Sequence, residues 1–125
     1  MGRFVIKPAL SGVRFDLQAA NYETIASSGS YSGEAACRLA IDDMKKCAAQ
    51  AAVEDRTKEN CTVRKNPKFE VDQDGAGRFR FRLRAKTGEV IAVSEGYKAK
   101  ASCLNGVKSV VRNSAAAEVV SRLEI

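Results

Sequence analysis

Arg78-Phe79-Arg80-Phe81-Arg82-Leu83-Arg84 alternates basic and apolar residues without a break. Side chains on a β-strand point to opposite faces with a period of two. Phe79, Phe81 and Leu83 therefore share one face, and Arg78, Arg80, Arg82 and Arg84 share the other. The apolar side needs cover, and a helix downstream offers it: Cys103, Val107 and Val110 recur at helical spacing. Upstream, residues 69–72 read as a strand joined to this one by a turn at 73–77, which contains Asp74-Gly75. Lys86-Thr87-Gly88 then turns the chain into a third strand over 89–94.

The same order occurs earlier. A shift of 66 residues lays 14–46 onto 80–112. Arg14, Phe15, Leu17 and Ala19 fall on Arg80, Phe81, Leu83 and Ala85; Tyr31, Ala35 and Cys37 fall on Tyr97, Ala101 and Cys103. Phe4 and Gly12 match Phe69 and Gly77 at a shift of 65, which puts a one-residue indel in the first turn. The chain is a diverged tandem duplication, with repeat 1 over 1–65 and repeat 2 over 66–125. In repeat 1 the helical stripe is Cys37, Ile41, Met44 and Ala48. Ala40 and Gly106 occupy equivalent helix positions, and both are small, so each helix should cross its sheet closely there. The first helix is expected to run to about residue 57, with a strand at 61–65. A short helix over 115–121 and a strand at 122–125 should close the second unit. Each unit then follows a β-β-β-α-β plan, and the chain forms one α+β domain.

Composition narrows the function classes. Of the 125 residues, 45% are hydrophobic and 29% charged, a globular balance. No run approaches membrane-spanning length and no signal segment is read, so a cytoplasmic protein with reduced thiols is expected. Histidine is absent and the four cysteines are scattered without a C-x-x-C pair. Neither a metal site nor a Ser-His or Cys-His arrangement can be assembled, and no phosphate-binding glycine motif occurs. No cofactor is expected. The net charge is +6, and residues 67–125 hold eleven basic and seven acidic residues. That balance favours contact with a polyanion.

Gly88-Glu89-Val90-Ile91-Ala92-Val93-Ser94-Glu95-Gly96-Tyr97, followed by Ala101 and Asn105-Gly106-Val107, resembles the signature of the YegP-like family of small bacterial proteins. Repeat 1 departs from it where Asn21-Tyr22 stands for the usual Asn/Thr-Gly turn and Leu39-Ala40 for Asn-Gly. The resemblance implies one antiparallel sheet with helices packed on one face and C-terminal strands exchanged between repeats. It supplies no catalytic residue.

The candidate site is Arg78, Arg80, Arg82, Arg84 and Lys86, a basic row suited to a polyanion such as nucleic acid. Alternate strand residues lie about 6.6 Å apart, comparable to phosphates on an extended strand, and guanidinium groups fit phosphate. Against this, Phe79 and Phe81 point away and offer no stacking platform. A turn at 73–77 would place Asp72 opposite Arg78, Glu70 opposite Arg80 and Lys68 opposite Arg82, leaving the Arg82–Lys86 end positive. The remaining candidates read as structural. Tyr31 and Tyr97 pack on the sheet, Cys37 and Cys103 sit in the core, and Glu23 and Glu89 belong to turns. Cys47, beside Lys45 and Lys46, carries a weak hint of thiol reactivity. The expected function is a non-enzymatic binding or accessory module for an unknown protein partner, with polyanion binding as the alternative. Two repeats in one chain satisfy the strand exchange internally, so a monomer is expected.

Overall fold

A computed structural model describes residues 2–123. The first unit contains β1 (Arg3–Ala9), β2 (Gly12–Gln18), β3 (Thr24–Ser27), α1 (Glu34–Gln50) and β4 (Ala52–Asp55). The second contains β5 (Lys68–Gln73), β6 (Phe79–Arg84), β7 (Val90–Val93), α2 (Lys100–Ala116) and β8 (Glu118–Ser121). All eight strands form one sheet in the order β4-β5-β6-β7-β3-β2-β1-β8. The α+β architecture, the repeated plan and the strand exchange all follow the sequence. β4 leaves the first unit to pair with β5, and β8 leaves the second to pair with β1.

The two outer pairs are parallel, so the sheet is mixed rather than wholly antiparallel. Strands joined by tight turns must run antiparallel; each outer strand instead arrives after a helix, and such a crossover permits parallel pairing. The seam between the units is narrow, with Ser27 opposite Val93 as its register pair. The helices contact each other and strands of both units, so the core is continuous across the seam.

Phe4, Ile6, Phe15 and Leu17 face this core from the first unit, and Phe69, Val71, Phe81 and Leu83 from the second. The helical stripes are buried as their spacing requires, with Cys47 added to the first and Gly106 and Ser114 to the second. Two tyrosines lock each second strand to the chain that follows the third. Tyr31 pairs by backbone with Val13 and stacks on Phe15 at 6.2 Å between ring centroids. Tyr97 does the same with Phe79 and Phe81, at 6.4 Å. Ser28 and Ser94 act beside them: their hydroxyls accept the backbone N–H of Phe15 and Phe81, both at 2.9 Å.

Three boundaries differ from expectation. α1 stops at Gln50, the next strand is Ala52–Asp55, and 61–65 forms no strand. α2 runs on to Ala116 and its following strand is Glu118–Ser121, not 122–125; Glu124 and Ile125 lie outside the described residues. The β5–β6 hairpin is shifted by two residues, so Asp72 faces Arg80, Glu70 faces Arg82 and Lys68 faces Arg84. Asp74 sets that register. Its carboxylate accepts the N–H groups of Ala76 and Arg78, and its own N–H donates to the Arg78 carbonyl at 2.8 Å. The turn therefore spans 74–78.

Candidate functional site

The arginine row lies on the sheet face away from the helices, where the hairpin register decides each partner. Glu70 is 3% exposed and sits at the centre of an ion-pair cluster. Arg82 reaches it at 2.5 Å and Arg84 at 2.7 Å. Lys68 bridges Glu54 at 2.8 Å and Glu70 at 3.4 Å. Arg56 contacts Glu70 at 3.3 Å and Asp72 at 3.5 Å, and Asp72 takes a second bond from Arg82 at 2.7 Å. The loop after β4 contributes as well, because the Arg64 backbone N–H donates to Glu54 at 2.7 Å. Three carboxylates thus hold four cations.

Protonation follows from this packing. Burial pushes the Glu70 carboxyl up, but hydrogen bonds from Arg84 and Arg82 outweigh it and hold the group at about 2. The hydrogen bond from Lys68 holds Glu54 below the usual carboxylate range, and the same bond raises Lys68. The end of the row expected to stay positive, Arg82 and Arg84, is therefore the compensated end. Arg84 also donates to the Gly88 carbonyl at 2.8 Å.

The other half of the row is more open. Arg80 pairs with Asp74 at 2.9 Å but remains exposed. Arg78 has no ion pair among the described residues; its side chain lies over Gly96, where an added Cβ would meet its Cδ at 2.8 Å. Lys86 is exposed past the end of β6, but it lines a pocket with Asp43, Lys46, Cys47 and Gln50 of α1, on the helix side of the sheet. The structure thus leaves Arg78 and Arg80 exposed, draws Arg82 and Arg84 inward, and sets Lys86 apart beside α1.

The first unit carries a reduced copy of the cluster with its polarity reversed. Lys7 and Asp16 form an ion pair where the second unit has Asp72 and Arg82. Val5 stands in the place of Glu70 and is buried, at 4% exposure. The ion-pair network is therefore one solution to covering this face, and the fold works without it.

The remaining candidates settle as structural. Burial raises the thiols of Cys37, Cys47 and Cys103, the last to about 11, which counts against reactivity at Cys47. Burial also raises the phenols of Tyr31 and Tyr97. Glu23 and Glu89 immediately precede β3 and β7, which run antiparallel across the seam, so the fold separates them. Among the described residues, no group of three or more histidines, cysteines, aspartates or glutamates is placed to hold a metal ion. No helix among them is long and apolar enough to cross a membrane.

A second surface was not foreseen. Between β4 and the C-terminal half of α2 lies an open groove of about 340 Å³, lined by Ala51, Val53, Phe69, Val107 and Val111 with Lys108 and Arg112 at its rim. Val53 and Val111 are each 39% exposed. The sequence did hold a signal for it, because Val111 falls on Lys45 in the repeat alignment.

The fold and site define a pseudo-symmetric α+β protein built from two tandem units. A family model described as "Domain of unknown function (DUF1508)" matches residues 11–55 and 74–121, one segment in each unit. The chain belongs to this family. UPF0339 protein Atu5359 of Agrobacterium fabrum is 58% identical over 55 residues, which are 44% of this chain and 89% of that protein, a length that fits one unit. UPF0339 protein YegP of Yersinia pestis is 29% identical over 114 residues, covering 90% of this chain and 88% of that one. A solution structure of yegP from E. coli, a protein of unknown function, superposes with a TM-score of 0.80 at 23% identity, covering 99% of this chain and 95% of that one. That likeness establishes the fold.

Proposed function

We propose that the chain is a non-enzymatic binding module that acts as a monomer on a protein partner. The observation that carries this is the exposed apolar patch of Val53 and Val111, at the open edge of the interface between β4 and α2. Exposed apolar surface of this kind marks sites of interaction. The state of the titratable groups supports the same reading. A general acid or base works best with a pKa near the operating pH. Glu54 and Glu70 are driven lower, and the buried thiols and phenols higher. The strand exchange, which one chain completes alone, supports the monomer. Four free cysteines are compatible with the reducing cytoplasm. A pull-down with the full chain at moderate salt tests the proposal. Recovery of a stoichiometric protein is the expected result, and an empty eluate would overturn it.

A second reading is favoured by one feature. Arg78 has no ion pair among the described residues and lies near the exposed Arg80, so these two form the part of the basic row open to a polyanion. The salt dependence of oligonucleotide binding tests it.

A further inference from the structure

The two ends of the sheet should carry equivalent grooves, because each outer strand lies beside the helix of the other unit. They do not match. At the β8 end, Lys45 of α1 extends across the equivalent place. Its ammonium donates to the Ala117 carbonyl at 3.0 Å and lies 5.8 Å from the centre of the Phe4 ring. Ala117 beneath it is 3% exposed. At the β4 end the corresponding residues are Val111, Ala51 and Phe69. A valine cannot reach the Ala51 carbonyl, and the groove stays open.

Charge narrows what fits there. α2 contains Lys100, Lys108 and Arg112 and no acidic residue. Lys100 is spent on Asp55. Lys108 and Arg112 stand at the groove rim and make no ion pair among the described residues. The site is an apolar floor beside two uncompensated cations. A second copy of this chain is a poor match, since it would bring the same cations and a net charge of +6.

We propose that the groove between β4 and the C-terminal half of α2 docks an acidic protein segment that inserts a bulky apolar side chain between Val53 and Val111. Carboxylates of that segment pair with Lys108 and Arg112. The proposal rests on the binding-module reading and names the chemistry of its partner.

The test is an amide chemical-shift titration of the full ¹⁵N-labelled chain with a short synthetic peptide of glutamates carrying one phenylalanine and one leucine. Shifts should concentrate at residues 51–53 and 107–112. A matched peptide with serines in place of the two apolar residues should bind at least about tenfold more weakly. Val111→Lys installs the residue of the equivalent position, so it should fold as the parent does and lose the peptide by a similar factor. Lys108→Glu with Arg112→Glu, both on the exposed helix surface, should lose it without altering the core. Four results would overturn the proposal. These are no shifts in the groove, equal binding of the serine peptide, decanoate shifting the same amides as strongly as the peptide, and concentration-dependent shifts there in the free chain, which would mark self-association. If the peptide fails while the pull-down yields a partner, the groove assignment falls and the module reading stands.

Discussion

Replacing Glu70 by glutamine should cost stability in a way that depends on pH. The side chain keeps its shape and loses its charge, so Arg56, Lys68, Arg82 and Arg84 each lose one partner. None is stranded. Arg56 keeps Asp72, Lys68 keeps Glu54, Arg82 keeps Asp72, and Arg84 keeps the Gly88 carbonyl. The cost should therefore stay below the roughly 3–5 kcal/mol of a fully unpaired buried charge. Its size follows from the carboxyl itself, which is held at about 2 against an ordinary 4.5. At about 1.4 kcal/mol per pH unit, that is at most roughly 3–4 kcal/mol. Arg82 and Arg84 are 28% and 30% exposed, so solvent screening reduces it. About 2 kcal/mol is the expected loss near neutral pH. A depressed carboxyl stabilises the fold above its unfolded pKa, and that contribution is lost as the pH falls through the folded value. The gap between parent and E70Q should thus narrow from about 2 kcal/mol near pH 7 to about 1 kcal/mol near pH 3. Urea unfolding across that range measures it. A gap below about 0.5 kcal/mol, or one that does not change with pH, would refute the reasoning.

Other expectations follow from the repeated features. Ser94→Ala removes the acceptor of a buried Phe81 N–H and should cost about 1–2 kcal/mol in urea melts, with Ser28→Ala behaving alike at Phe15. Gly106→Ala would place a Cβ 2.5 Å from the Tyr97 hydroxyl and 2.9 Å from the Phe81 ring. The clash should outweigh the gain in helix propensity and lower stability by about 1 kcal/mol net. Adding Tyr97→Phe should recover part of that loss in a double-mutant cycle. Iodoacetamide at about pH 8 should modify Cys61 first, because the other three thiols are buried and raised; equal labelling of Cys103 would contradict this.

Much of the fold is legible in the sequence because the duplication presents it twice. Phe15 and Leu17 against Phe81 and Leu83 fix the core face, and the helical stripes fix what covers it. What was missed has identifiable causes. A hairpin slipped by two residues keeps every side chain on its own face, so alternation alone cannot set the register. Asp74 sets it through hydrogen bonds local to the turn. That slip reverses which arginines are paired, and so it moved the site from the Arg82–Arg84 end toward Arg78 and Arg80. β4 is short and carries Val53 as its one large apolar residue, a pattern that reads as easily as an extension of the preceding helix. Its carboxylate Glu54 and the neighbouring Arg56 join the ion-pair cluster only through strand exchange, a contact that no spacing along the chain reveals. The groove rests on the difference between Lys45 and Val111, visible in the repeat but without meaning until both edges of the sheet are in place.

The basic row belongs mostly to the fold's own ion pairs. The slope of log K against log salt for binding a duplex oligonucleotide tests this most directly. Each phosphate contact contributes about −0.9. With Arg82 and Arg84 spent on Glu70 and Asp72, and Lys86 set beside α1, only Arg78 and Arg80 remain, and the slope should be no steeper than about −1.8. A slope near −4.5, which requires all five groups on phosphate, would contradict the account.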